Sequence, residues 1–136
     1  MTISFQKFGI IGAGAWGTAI ATALLRAKRD VLIWAHEVEV VASINQQHLN
    51  KFYLPDITLD TKLKATGNLH GLAACDAWIL ATPAQHTRAM CQKLAALNTT
   101  VPVIIASKGI EQQSSDLLSD VVMAELPKNP LAILSG

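Results

Sequence analysis

The sequence predicts a doubly wound α/β fold, a mainly parallel sheet with helices on both faces. Three observations carry this. Short unbroken apolar runs recur along the chain, as in Phe8–Ile11, Val31–Trp34 and Ala77–Ala81. Longer stretches of helical periodicity separate them. The first run leads straight into a glycine-rich turn and then an alanine-rich stretch. Parallel strands buried on both faces read as continuous apolar runs and not as an in-out alternation. Strands that alternate with helices imply right-handed crossovers.

In chain order, Lys7 to Ile11 is the first strand and Ala15 to about Lys28 the first helix. Val31 to Trp34 is a second strand. Glu37 to Leu49 reads as helix, because Val38, Val41, Ile44 and His48 or Leu49 share one face. Tyr53-Leu54-Pro55-Asp56 reads as a loop, since proline lacks a donor and restricts its predecessor. Leu63 to Thr66 is a short strand, and Asn68 caps a short helix through about Ala74. Ala77 to Ala81 is a buried strand that stops at Thr82-Pro83. Ala84 to Leu97 is helical. Val101 to Ala106 is a strand whose early Pro102 suits a strand start. Ser114 to Leu126 is helical, and Leu131 to Leu134 is a last strand. The chain stops at Ser135-Gly136, directly after that strand, which reads as a truncation of a longer protein.

Composition narrows the function. The chain has 136 residues, 51% of them hydrophobic and 15% charged, enough to build a core. A net charge of +1 gives no bulk attraction to nucleic acid. No apolar segment approaches the roughly 18 residues needed to span a bilayer, and no targeting signal precedes the first strand. Cys75 and Cys91 form neither a metal spacing nor a disulfide framework. They read as thiols of a reducing, cytoplasmic protein. His48, His70 and His86 are scattered without ligand spacing, so no metal site is expected. Trp34 and Trp78 border apolar strands and read as core.

The chemical signal is Gly12-Ala13-Gly14-Ala15-Trp16-Gly17, placed between a strand and a helix. In that context the G-x-G-x-x-G spacing indicates a dinucleotide site. Gly12 allows the turn, Gly14 lets backbone approach a pyrophosphate, and Gly17 lets the helix pack on the strand. The helix start offers unpaired N–H groups and a positive dipole end. Flavins and S-adenosylmethionine also use glycine loops, and such a turn can bind nothing. The end of the second strand decides between NAD and NADP, an acid favouring the first and a cation the second. Here His36 sits where the ribose should arrive and Glu37 follows it, either as a ribose ligand or as a helix-start acid. The choice stays open between NAD and NADP, with a lean to NADP(H).

Four ordered segments carry a family resemblance. Gly12-Ala13-Gly14-Ala15-Trp16-Gly17-Thr18-Ala19 resembles the GAGxWGTA signature of the glycerol-3-phosphate dehydrogenases. Asn50-Lys51-Phe52-Tyr53-Leu54-Pro55 is similar to their N-x-x-Y-L-P loop, and Ser107-Lys108-Gly109-Ile110-Glu111 to their S/T-K-G-I/L-E segment. Leu134-Ser135-Gly136 resembles the start of their L-S-G-P segment. The resemblance implies a Rossmann-type domain spanning residues 1–136, truncated before a helical C-terminal substrate domain. It implies hydride transfer between NAD(P)H and dihydroxyacetone phosphate, giving sn-glycerol 3-phosphate for phospholipid synthesis. It places Ala15, Trp16, His36 and Lys108 on the dinucleotide and Lys108 and Gly136 on the substrate. The catalytic lysine of the family lies in the domain beyond this chain, so the chain alone is expected to bind cofactor but turn over poorly. Ala15 stands where the family often has serine, and His36 where it often has arginine.

Without the resemblance, Lys108 reads as a solvated loop lysine. Placed after a buried strand and before Gly109, it suits a cation aimed at substrate oxygen. Thr82-Pro83 ends a strand at the same sheet edge and lines the nicotinamide ribose or merely stops the strand. Tyr53 and Pro55 shape a loop near the cofactor or simply pack. The alternative function is a cofactor-sensing module or a different NAD(P)-dependent hydroxy-acid dehydrogenase. An uncovered apolar face makes a homodimer possible.

Overall fold

The computed structural model describes residues 5–134. Strand β1 (Lys7–Ile11) and helix α1 (Ala15–Arg26) lead to β2 (Asp30–Trp34) and a short helix α2 (Val38–Ala42). A hairpin follows, β3 (Leu49–Asn50) and β4 (Leu54–Thr58), then β5 (Lys64–Thr66) and a 3-10 turn at Leu69–Ala74. Strand β6 (Ala77–Leu80), helix α3 (Thr87–Ala95), β7 (Val103–Ile105), α4 (Leu118–Glu125) and β8 (Leu131–Ile133) complete it.

The six-stranded sheet runs β5-β2-β1-β6-β7-β8, and each neighbouring pair is parallel. Counting only its own strands, the order is 3-2-1-4-5-6, the doubly wound arrangement with its switch point between β1 and β6. Alternation within each strand feeds two cores. Ile10, Ile33 and Ile79 pack on one face with Ala21 of α1 and Val40 of α2. Ile11, Trp34, Trp78 and Leu80 pack on the other with Met90 and Leu94 of α3 and Val122 of α4. Most of these side chains are fully buried, each contributing about 1.5–3 kcal/mol relative to exposure.

Three segments differ from the sequence expectation. The helix expected over 37–49 forms over 38–47 but changes character: α2 continues as a π-helical turn at Ser43–Gln47, and His48, left-handed with φ 57°, ends it. Polar side chains cause this. The Ser43 hydroxyl donates to the Leu49 carbonyl, and the Asn45 amide exchanges hydrogen bonds with both backbone groups of Ala65 on β5. Such side chains compete with the helix ladder. The loop expected around Pro55 is instead strand β4, antiparallel to β3; a strand paired along one edge tolerates proline. The helix expected from Ser114 begins at Leu118. Residues 111–116 close a turn instead, with the Glu111 N–H donating to the Asp116 carbonyl and Ser115 at φ 62°. Asn68 does cap its turn, accepting from the His70 N–H.

Candidate functional site

The carboxyl ends of β1, β2, β6 and β7 open onto a cleft of about 1080 Å³. Open α/β sheets bind ligands at this position, beyond the switch point. Gly12, Gly14, Ala15, Trp16, His36 and Lys108 all line it. Gly17 lies behind the cleft, and Gly136 falls outside the described residues.

The glycine loop forms as it does for steric reasons. Gly12 has φ +116°, and a Cβ there would meet the Ala81 carbonyl oxygen at 2.8 Å. A Cβ on Gly17 would run into the Gly12 carbonyl oxygen, so α1 sits against the strand end. Gly14 is different. A Cβ on it would meet nothing within 4 Å, so the space above the helix start is open. That start has no side-chain cap and no acidic residue in its first turn. Its N–H groups and positive dipole end therefore face the cleft without a built-in anion. This combination fits a diphosphate.

Asn50 secures the loop from beneath and is fully buried. Its amide donates to the Ala13 carbonyl (2.7 Å) and to the Thr18 hydroxyl oxygen (2.9 Å). The Thr18 hydroxyl in turn donates to the Gly14 carbonyl (2.8 Å). The Oδ1 of Asn50 accepts from the Tyr53 N–H (3.3 Å), and Tyr53 lines the cleft.

At the end of β2, His36 and Glu37 both line the cleft. The His36 ring lies 6.3 Å from the Trp34 ring, centroid to centroid. Glu37 is the residue preceding α2 and makes no capping bond with its side chain. It engages Tyr53 instead: its hydrogen bond, then its charge, raise the Tyr53 phenol above the ordinary value. On the far wall the Trp16 indole, 52% exposed, donates to the Ala106 carbonyl (3.2 Å). Among the described residues His36, His86, Lys93 and Lys108 line the cleft against one carboxylate, Glu37. That balance suits an anionic ligand.

The Lys108 loop leaves β7 and is held from the end of β6, from the 3-10 turn at Ala84–His86 and from α3. Ser107 donates to the carbonyls of Leu80 and Thr82. Gly109 takes φ +110°. The Gln85 side chain donates to the Ile110 carbonyl and accepts from the Gln112 N–H, both at 2.9 Å. Arg88 grips Glu111 with two nitrogens (2.9 and 3.0 Å) and Glu125 with a third (2.8 Å). The Arg88 and Ser114 hydrogen bonds hold the Glu111 carboxyl below the usual carboxylate range.

The sequence singles out Gly12, Gly14, Ala15, Trp16, His36 and Lys108, which line the cleft, but gives no role to Asn50, Gln85 or Arg88 and only a surface or structural one to His86, which also lines it. Asn50 and Glu111 stood inside recognisable segments, which was the available signal. Thr82 lines the cleft with its hydroxyl buried and unpaired among the described residues. No group of three metal-ligating side chains occurs among those residues. No helix there is long and apolar enough to cross a membrane. Both cysteines are buried free thiols, and burial pushes Cys91 up to about 12.

Comparison with known proteins points the same way. Residues 7–136 match the family model for the N-terminus of NAD-dependent glycerol-3-phosphate dehydrogenase. The chain is 49% identical over 132 residues to a protein of Paramagnetospirillum magneticum named glycerol-3-phosphate dehydrogenase [NAD(P)+], covering 96% of this chain and 48% of that protein. It is 45% identical to the Caulobacter vibrioides protein of the same name, covering 98% of this chain and 41% of that one. The crystal structure of glycerol-3-phosphate dehydrogenase from Coxiella burnetii superposes with a TM-score of 0.89 at 28% identity, over 97% of this chain and 41% of that chain. The chain thus spans less than half the length of these relatives.

Proposed function

The chain belongs to the NAD-dependent glycerol-3-phosphate dehydrogenase family, as its N-terminal part, and from that premise we propose that residues 1–136 form the dinucleotide-binding domain of an enzyme interconverting dihydroxyacetone phosphate and sn-glycerol 3-phosphate. The observation that carries the reading is the open, uncapped start of α1 beneath Gly14, set in a cleft rich in basic side chains. The N–H groups of Ala15 and Trp16 and the dipole of α1 hold the diphosphate. Gly17 contributes by letting α1 approach. His36, Glu37 and Tyr53 meet the adenosine ribose.

When bound, the nicotinamide supplies the hydride donor or acceptor, and the protein supplies orientation and charge. Lys108 brings a compact cation to the far end of the cleft, where it holds the carbonyl oxygen or phosphate of the substrate and steadies the cofactor. Gly136 contacts the substrate from the chain that follows β8. The lysine that moves the proton at the carbonyl comes from outside these residues, so the chain alone binds cofactor and turns over poorly. His36 favours NADP(H) and Glu37 favours NAD, which makes the domain one that accepts either. A cytoplasmic setting and a homodimer belong to the same reading. The two buried free thiols support the first, and exposed Ile133 and Leu134 offer apolar surface for the second.

The test is the Lys108→Ala substitution in the longest natural form of the protein, followed by NADH oxidation with dihydroxyacetone phosphate. The rate should fall about 100-fold or more. A rate within about two-fold of the unsubstituted protein would contradict the role given to Lys108.

A further inference from the structure

We propose that Asn50 is a positioning residue that sets the peptide orientation of the glycine loop and the placement of Tyr53, so one buried side chain builds both the diphosphate and the ribose ends of the cleft. The inference rests on reading the cleft as a dinucleotide site.

Asn50 belongs to β3, in a hairpin outside the parallel sheet. It is separated from Ala13 by 37 residues, yet it is completely buried against the glycine loop. Both protons of its amide are used, one on the Ala13 carbonyl and one on the Thr18 hydroxyl oxygen. Having accepted that bond, the Thr18 hydroxyl turns its own proton to the Gly14 carbonyl. The Ala13 carbonyl is therefore held by the buried amide directly, and the Gly14 carbonyl, which also accepts the first helical bond from the Thr18 N–H, is held through Thr18. A peptide unit is planar, so fixing its carbonyl fixes the opposite direction of the N–H that follows. The N–H groups after Ala13 and Gly14 belong to Gly14 and Ala15, at the start of α1. Holding the carbonyls inward keeps those donors aimed away from Asn50 and available to an anion, before any ligand arrives. Such preorganisation removes an ordering cost from binding.

The other half of the amide acts on Tyr53. The Oδ1 of Asn50 accepts from the Tyr53 backbone N–H, and the Asn50 carbonyl is also within reach of it at 3.3 Å. This closes the turn that brings the phenol beside Glu37. A serine or threonine at position 50 could satisfy one partner but not three. An aspartate would lose both donors and bury a charge.

The test uses backbone amide NMR of the chain with ADP as probe, comparing the unsubstituted protein with Asn50→Leu and Thr18→Val. Leucine keeps the shape of asparagine without adding charge. Asn50→Leu should keep a dispersed spectrum, lose about 10-fold or more in ADP affinity, and no longer show ADP-dependent shifts at Gly14 and Ala15. Thr18→Val should lose about three-fold, and the double variant no more than Asn50→Leu alone, because both act through one network. A purely structural role would lower thermal stability yet leave the affinity of the folded fraction unchanged. A folded Asn50→Leu with ADP affinity within about two-fold of the original overturns the inference alone. If that variant does not fold, unchanged affinity in Thr18→Val overturns it equally. Absence of saturable ADP binding in the unsubstituted chain overturns the dinucleotide reading together with the inference.

Discussion

The glycine loop and the Lys108 loop face each other across one cleft but are held by opposite physics. The first rests on a buried, neutral amide, and on steric contacts at Gly12 and Gly17 that leave no slack. The second is clamped by Gln85 and by an ion cluster in which the Arg88 side chain is 31% exposed. A neutral bond with no access to water keeps its strength whatever the pH or salt, and leaving its partner unpaired is costly. An ion cluster with one partly exposed partner is partly screened and titratable. The rigid loop belongs to the part of the site common to dinucleotide folds. The adjustable one carries Lys108, assigned above to the substrate.

The largest break in this comparison is Gly17→Ala. The new methyl must displace the Gly12 carbonyl, so stability should fall by about 3 kcal/mol, read as a lower denaturation midpoint. Gly14→Ala is its counterpart. It meets nothing within 4 Å, so stability should change by under about 1 kcal/mol. Dinucleotide affinity should nevertheless drop about 10-fold, because the methyl fills the space kept for the diphosphate. Equal stability losses in the two variants would remove the distinction between a packing glycine and an approach glycine.

Arg88→Met should act on the other loop alone. Amide exchange should quicken at residues 108–112 and stay unchanged at 12–17, and NADPH affinity should fall about three-fold. Acid gives a smaller version of the same effect. The folded-state pKa of Glu111 is depressed by Arg88 and Ser114. Its stabilising contribution is therefore present above the ordinary glutamate value of about 4.3 and lost as pH falls through the folded-state value. Exchange at 108–112 should rise as pH drops below about 4, before any change at the glycine loop. Smallest of all, raising salt from about 0.1 M to 1 M should loosen residues 108–112 slightly and leave 12–17 alone.

The legible parts of the molecule were those whose physics is local. Phe8–Ile11 and Ala77–Leu80 read as strands because burial on both faces demands unbroken apolar runs. The spacing of Gly12, Gly14 and Gly17 encodes a turn, an approach and a packing contact within six residues. The illegible parts were long-range polar contacts. Nothing near Asn45 says that its amide will dock on Ala65, twenty residues away, within the π-helical turn that follows α2. Nothing near Arg88 says that it will hold Glu111, separated by 23 residues. Periodicity reports apolar faces, whereas these side chains act through single directed bonds whose partners only the fold brings near. His86 is a similar case. It joins the cleft because the 3-10 turn at Ala84–His86 stands at the sheet edge.

The central claim is that the cleft beneath Gly14 is a dinucleotide site, and calorimetric titration of the chain with NADPH and with NADH tests it most directly. The account predicts saturable binding at a single site, weakened about 10-fold in Gly14→Ala while that variant stays folded. No saturation by either cofactor up to about 1 mM, with the chain folded, would contradict it.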